Sequence, residues 1–126
     1  NGSSSSSSPA ASIHKEREEG AGGGGKTKGD QITVGIFGVC TQATPHLSYP
    51  SQNVEFRSPL EVSRRLVKML RNDLHADVVL AVNHLAFEDD KKIAGRVGGI
   101  DVIFGGHDHT PMLFTEESTW IFKTGQ

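Results

Sequence analysis

The chain has little cysteine and no long apolar run, and each shortage excludes a class of protein. Cys40 is the only cysteine among 126 residues, which excludes an internal disulfide framework, and we interpret it as a packed strand residue. No apolar run approaches the roughly 20 residues that span a bilayer, so no membrane segment is expected in this chain. Lysine and arginine form no stripe and the net charge is −2, so no nucleic-acid partner is expected. The compartment stays open, because the chain begins at Asn1 and a targeting signal can lie upstream.

Residues 1–30 have almost no apolar content. They contain a serine run at 3–8, a glycine run at 22–25 and a single large apolar residue, Ile13. Such a stretch cannot bury enough surface to offset its chain entropy. We therefore predict a disordered, low-complexity segment over 1–30 and a folded part over 31–126.

The folded part alternates between strand and helix patterns. Strands are predicted at 31–40, 77–82, 100–105 and 119–123, and the first two are expected to be buried. An irregular loop over 41–57 holds at most a short strand near 52–56. A capping box at Ser58 and Glu61 starts a helix that runs to about Leu74, and acidic residues open a second helix at 88–90. The basic residues of the first helix are interpreted as a solvated face. This order predicts an α/β fold with a mostly parallel sheet.

Histidines follow two of these predicted strands. His84 ends the apolar run 78–84, whereas His107 and His109 come after the run 100–104 and the glycines at 105 and 106. On an extended backbone, residues two apart point the same way, so His107 and His109 are expected to project together. Ligands bind beyond the carboxyl ends of parallel strands, and imidazole is a common metal ligand. The sequence therefore predicts a metal site that contains all three histidines.

Two kinds of metal site remain open on these residues alone. Three histidines suit one zinc with an open position, or part of a two-metal site that also needs a bridging carboxylate. Asp108 is expected to point away from its neighbouring histidines, and Asp89 and Asp90 are explained as helix capping. No serine or cysteine nucleophile motif stands out, so no catalytic residue is assigned in this chain.

Several of these segments together resemble a known family. They are Asn83-His84-Leu85, then Asp90-Lys91-Lys92-Ile93-Ala94, then IDVIFGGHDHT at 100–110 and TWIFKTG at 119–125. In this order they resemble the C-terminal half of the calcineurin-like metallophosphoesterase catalytic domain, most closely its 5′-nucleotidase branch. The resemblance covers the chain from about residue 31 onwards.

The resemblance implies a four-layered α/β/β/α sandwich that holds two divalent metal ions, which can be Zn, Mn, Fe or Mg. His84 and His107 would ligate one ion, and His109 the other. The implied reaction is hydrolysis of phosphate monoesters of small molecules by a metal-bound hydroxide. Asn83 stands where the family often has threonine or serine.

Motifs of the family's first half are missing from these residues. No Asp-x-His and no Gly-Asp occurs at the end of a predicted strand, and no Gly-Asn-His-Asp/Glu occurs at all, so the ligand set is incomplete. We therefore expect the isolated chain to be inactive and the parent protein to be the enzyme. Two alternatives are a non-catalytic metal-binding or interaction remnant, and a different metallohydrolase such as an amidohydrolase-like barrel.

Overall fold

The computed structural model describes residues 31–125, so the predicted low-complexity segment lies outside the described residues. Five strands and three helices follow one another along this part of the chain. The strands are β1 (Val34–Phe37), β2 (Val78–Asn83), β3 (Val102–Gly105), β4 (Met112–Glu116) and β5 (Thr119–Lys123). The helices are α1 (Thr44–Ser48), α2 (Pro59–Lys68), which continues as a π-helical turn at Met69–Asp73, and α3 (Phe87–Arg96).

The strands form one sheet in the order β1-β2-β3-β5-β4. The pairs β1–β2, β2–β3 and β3–β5 are parallel, and only β4–β5 is antiparallel. The predicted α/β fold with a mostly parallel sheet is therefore confirmed. Within residues 31–125, none of the helices combines the length and apolar character that crossing a bilayer requires.

Helix α2 begins where the sequence predicts. The Ser58 hydroxyl accepts a hydrogen bond from the Glu61 backbone N–H at 3.5 Å, and proline occupies the first turn. This side-chain cap satisfies one of the amide groups that a helix start leaves unpaired. The apolar stripe of α2 then packs on the sheet through Leu66, Val67 and Leu70.

The hydrophobic core lies on one face of the sheet, beneath α2 and α3. Strand residues that alternate along β1, β2, β3 and β5 point into it, together with the inner stripes of the two helices. The fully buried members include Val79, Ala81, Ile103, Ile121, Ile93 and Ile100.

The opposite face of the sheet is largely apolar and uncovered within the described residues. We call it the open face. Its exposed side chains are Val34, Ile36, Val82, Phe104, Trp120 and Phe122. In a four-layered α/β/β/α sandwich, this is the face against which the second sheet packs.

The structure corrects three predictions about this part of the chain. Helix α1 and strand β4 both lie where no element was predicted, whereas residues 52–56 hold no strand, which agrees with the predicted loop. Cys40 is exposed and forms only an isolated bridge with His84, so it is not a packed strand residue.

Arg71 is also not part of a solvated face. Its guanidinium donates hydrogen bonds to the carbonyls of Gly99, Ala76 and Asp77 and forms a 2.6 Å ion pair with Asp101. Arg71 therefore ties the end of α2 to the amino-terminal ends of β2 and β3.

Candidate metal centre

His84 and His107 meet at the carboxyl edge of the sheet. Their strands are parallel neighbours, with Asn83 opposite Gly105, and the Gly106 amide donates to the Asn83 carbonyl at 3.0 Å. The two imidazoles come together just beyond this register. Nε2 of His84 lies 3.4 Å from Nδ1 of His107, with the rings edge to face. The predicted adjacency of these two histidines is confirmed.

The separation of these two nitrogens is compatible with a shared metal ion. Two imidazole nitrogens bound tetrahedrally to zinc at ~2.0–2.1 Å are about 3.3 Å apart. Nitrogens so placed can share a proton in a hydrogen bond or both donate a lone pair to one cation. The distance between these nitrogens therefore suits two ligands of one metal ion.

Within residues 31–125, His109 forms no hydrogen bond with His84 or His107. It is exposed, and no group of three or more His, Cys, Asp or Glu side chains in that range is arranged to hold a metal. The extended backbone predicted for this segment is wrong, since φ is 86° at His107 and 56° at His109. The ligand role of His109 stays a prediction.

Gly106 provides space for the His84 ring. A Cβ placed on Gly106 would lie 3.3 Å from Nδ1 of His84, closer than most Cβ contacts. The second glycine of the Gly-Gly-His segment therefore lets the His84 imidazole, which follows β2, approach the backbone at the end of β3.

A buried charge cluster lies on the core face of the sheet and includes residues next to the two histidines in sequence. Its centre is Lys123, whose side chain is 0% exposed. The ammonium donates to the Leu85 carbonyl at 2.6 Å and to Oδ2 of Asp90 at 2.7 Å, and it lies 2.7 Å from Oδ2 of Asp108. The amide of Asn83 donates to the other oxygen of Asp90 at 2.9 Å. We call the side chains of Lys123, Asp90, Asp108 and Asn83 the Lys123 cluster.

The cluster corrects the interpretation of two acidic residues. Asp90 does not serve as a helix cap, because its carboxylate is fully buried against Lys123 and Asn83. Asp108 turns away from the histidines as predicted, but it does so towards Lys123 and the Phe87 amide rather than towards solvent. Asp89 keeps its place in the first turn of α3 and pairs with Lys92 at the surface.

The two carboxyls of the cluster are shifted in opposite directions. Burial raises the pKa of Asp90 above its ordinary value, against the opposing effects of Lys123 and Asn83. Burial also acts to raise the pKa of Asp108, but Lys123 and the Phe87 N–H outweigh it and hold that pKa below its usual range. Asp108 is therefore the firmly ionised partner of the ammonium.

The sequence carried a signal for this cluster that the prediction missed. Strand alternation in TWIFK places Thr119, Ile121 and Lys123 on one face, and Ile121 marks that face as buried. Asp90 precedes Ile93 and Ala94 by three and four positions, which puts it on the buried stripe of α3. A lysine and an aspartate that both fall on core faces predict a buried pair.

Gly105 lies against the Lys123 cluster, and its lack of a side chain leaves space for the ion pair. A Cβ at this position would lie 2.5 Å from Oδ2 of Asp90 and 2.8 Å from Nζ of Lys123. We expect Gly105→Ala to lower the free energy of unfolding by about 1–3 kcal/mol, because the buried ion pair must shift. The loss of stability is measured by urea denaturation, with circular dichroism as the signal.

Gly98→Ala is the matched control, because nothing lies within 4 Å of its added Cβ. That substitution should change stability by no more than about 1 kcal/mol. Equal losses from the two substitutions would contradict the close approach at Gly105.

Comparison with known proteins places this segment in a family. No family model matches the chain. The 5′-nucleotidase of Bos taurus is 39% identical over 89 residues, which is 71% of this chain and 15% of that protein. The solved structure of a 5′-nucleotidase precursor from Thermus thermophilus has a TM-score of 0.62 and 28% identity, covering 73% of this chain and 21% of that one. This segment belongs to the 5′-nucleotidase branch of the calcineurin-like metallophosphoesterases.

A second solved structure supports the family's fold over a longer stretch. The sulfate thiohydrolase SoxB of Thermus thermophilus has a TM-score of 0.67 and 23% identity, and the match covers 93% of this chain and 20% of that one. The chain spans about 15% of the length of the bovine 5′-nucleotidase that it matches. The recognised family and the predicted α/β fold are both confirmed.

Proposed function

We propose that this chain is part of a hydrolase that cleaves phosphate monoesters, with a nucleoside 5′-monophosphate as the favoured substrate class. The observation that carries the proposal is the His84–His107 pair at 3.4 Å, within a segment 39% identical to a protein named 5′-nucleotidase. Two convergent imidazoles at the carboxyl edge of a parallel sheet suit a metal-assisted reaction.

His84 and His107 are the residues that would hold one divalent ion, and His109 would contribute to a second. Zn, Mn, Fe and Mg are all candidates, because histidine combined with carboxylate ligands accepts each of them. When bound, such ions supply Lewis-acid stabilisation of the charge that develops on a phosphoryl group. The chain's own contribution is to orient the imidazoles through the strand ends that carry them.

The test is metal binding by the chain itself. We expect His107→Ala to weaken zinc binding more than about a hundredfold, since even the loss of a ligand's hydrogen-bond partner costs about 10–100-fold. Isothermal titration calorimetry with zinc alone measures the change in affinity. In the full-length parent, phosphate release from a nucleoside monophosphate should fall together with metal content.

His46→Ala is the matched control. His46 is exposed on α1 and is expected to leave both readouts unchanged. Native zinc affinity in the His107 variant would overturn the proposed metal role.

A non-catalytic metal-binding segment is the second candidate. It is favoured by one observation, namely that no group of three potential ligands is assembled among residues 31–125. The two candidates differ in the full-length parent, which turns over phosphate esters only if the first is right. The isolated chain is expected to bind zinc and to release no phosphate in either case.

A further inference from the structure

We propose that Asp108 is a positioning residue: held by Lys123 and the first turn of α3, it fixes the turn that presents His107 to His84. The inference rests on the proposed metal role of these histidines and goes beyond it, because it assigns a task to the acidic residue between His107 and His109. Neither the strand pattern nor the predicted ligand set gives Asp108 such a task.

Both oxygens of Asp108 are engaged by different parts of the fold. Oδ1 accepts the backbone N–H of Phe87, the first residue of α3, at 3.1 Å. Oδ2 lies 2.7 Å from the buried ammonium of Lys123 in β5. A carboxylate is favoured at a helix start, where the helix dipole is positive. Asp108 therefore connects the histidine turn to one helix and one strand at once.

The backbone on either side of Asp108 needs such an anchor. His107 and His109 both have positive φ, a region that L-residues rarely adopt because it is sterically strained. A turn of this kind persists only when surrounding contacts determine it. Asp108 lies between these two residues in sequence, and its two contacts are the ones that hold the turn in place.

The same cluster also holds the partner histidine. Lys123 donates to the Leu85 carbonyl, one residue after His84, and Asn83, one residue before it, is bonded to Asp90. The segments carrying His84 and His107 therefore share one buried ammonium as their common support. A change at Asp108 releases only the His107 side of this arrangement.

The experiment compares Asp108→Asn with Asp89→Asn in the full 126-residue chain. Asn has nearly the shape of Asp but lacks the charge that pairs with Lys123. Asp89 is a surface residue of α3 that pairs with Lys92, and it serves as the matched control. The first readout needs no metal: the imidazole ¹⁵N shifts of His84 report its contact with His107. The second readout is zinc affinity by isothermal titration.

We expect Asp108→Asn to move the His84 ring shifts and to weaken zinc binding about 10–100-fold, the usual cost of losing an outer support of a ligand. Asp89→Asn should do neither. Unmoved ring shifts, or native zinc affinity in a folded but less stable Asp108→Asn chain, would show a purely structural role and overturn the proposal. If Asp108→Asn does not fold, Asp108→Ser, which also lacks the charge and is smaller, is measured by the same criteria.

The two proposals fail separately. Native zinc affinity in His107→Ala removes the metal role while leaving the metal-free ring shifts of Asp108→Asn to decide the positioning. Zinc affinity lost in His107→Ala but kept in Asp108→Asn removes the positioning alone.

Discussion

Lys123→Met is expected to lower the free energy of unfolding by about 3–5 kcal/mol, the cost of removing one partner from a buried ion pair. Methionine fills a similar volume, so the loss comes mainly from charge. Without the ammonium, Asp90 stays fully buried and Asp108 stays mostly buried, with no compensating cation. Urea denaturation of the 126-residue chain measures the difference.

Lys92→Met provides the comparison, because its pair with Asp89 is half exposed on both sides. Surface pairs contribute about 0–1 kcal/mol, so this variant should unfold almost as the native chain does. Adding Asp90→Asn to Lys123→Met removes one stranded charge and should recover part of the loss. A Lys123 effect no larger than the Lys92 effect would mean that the cluster is open to water.

Ile121→Ala is expected to cost about 2–5 kcal/mol, the usual range for truncating a buried isoleucine. Ile121 is 0% exposed and pairs in register with Ile103 at the centre of the core face. The cavity left behind lies between β5, its neighbour β3 and helix α3, so little collapse can fill it. Thermal and urea unfolding both report the loss.

Val82→Ala tests the open face in the same way. Val82 is 56% exposed, so its truncation should cost less than about 1 kcal/mol. A loss as large as that of Ile121→Ala would show that the open face is covered in solution.

The regular part of this fold could be predicted from sequence because its signals are local. The Ser58 cap, the helix stripe and the apolar strands each have the expected period, and each forms the expected element. Strand β4 gave no such signal. Its turn to β5 is Glu117-Ser118, and Glu117 adopts φ 52° without the Asn-Gly or Asp-Gly sequence that marks a hairpin.

The candidate site was predicted in part, for a similar reason. The meeting of His84 and His107 follows from parallel strands ending at one edge, which a sequence pattern can indicate. The Lys123 cluster depends on which face of β5 and α3 turns inwards, and on a glycine that leaves room between them. Those are tertiary relations, and a sequence pattern alone favours the usual surface role of a charged residue, such as the helix capping predicted for Asp90.

The open face has an ordered surface as well as an apolar one. Phe122 stacks between Phe104 and Trp120, with ring centroids 5.6 Å and 6.4 Å away. Flat rings in a row form a ridge, so a covering layer must supply a matching groove at one orientation. A ridge of this kind also adheres to other partly folded chains. In the four-layered sandwich, we therefore expect the yield of soluble protein to rise when the covering layer is made early enough to meet this ridge during synthesis.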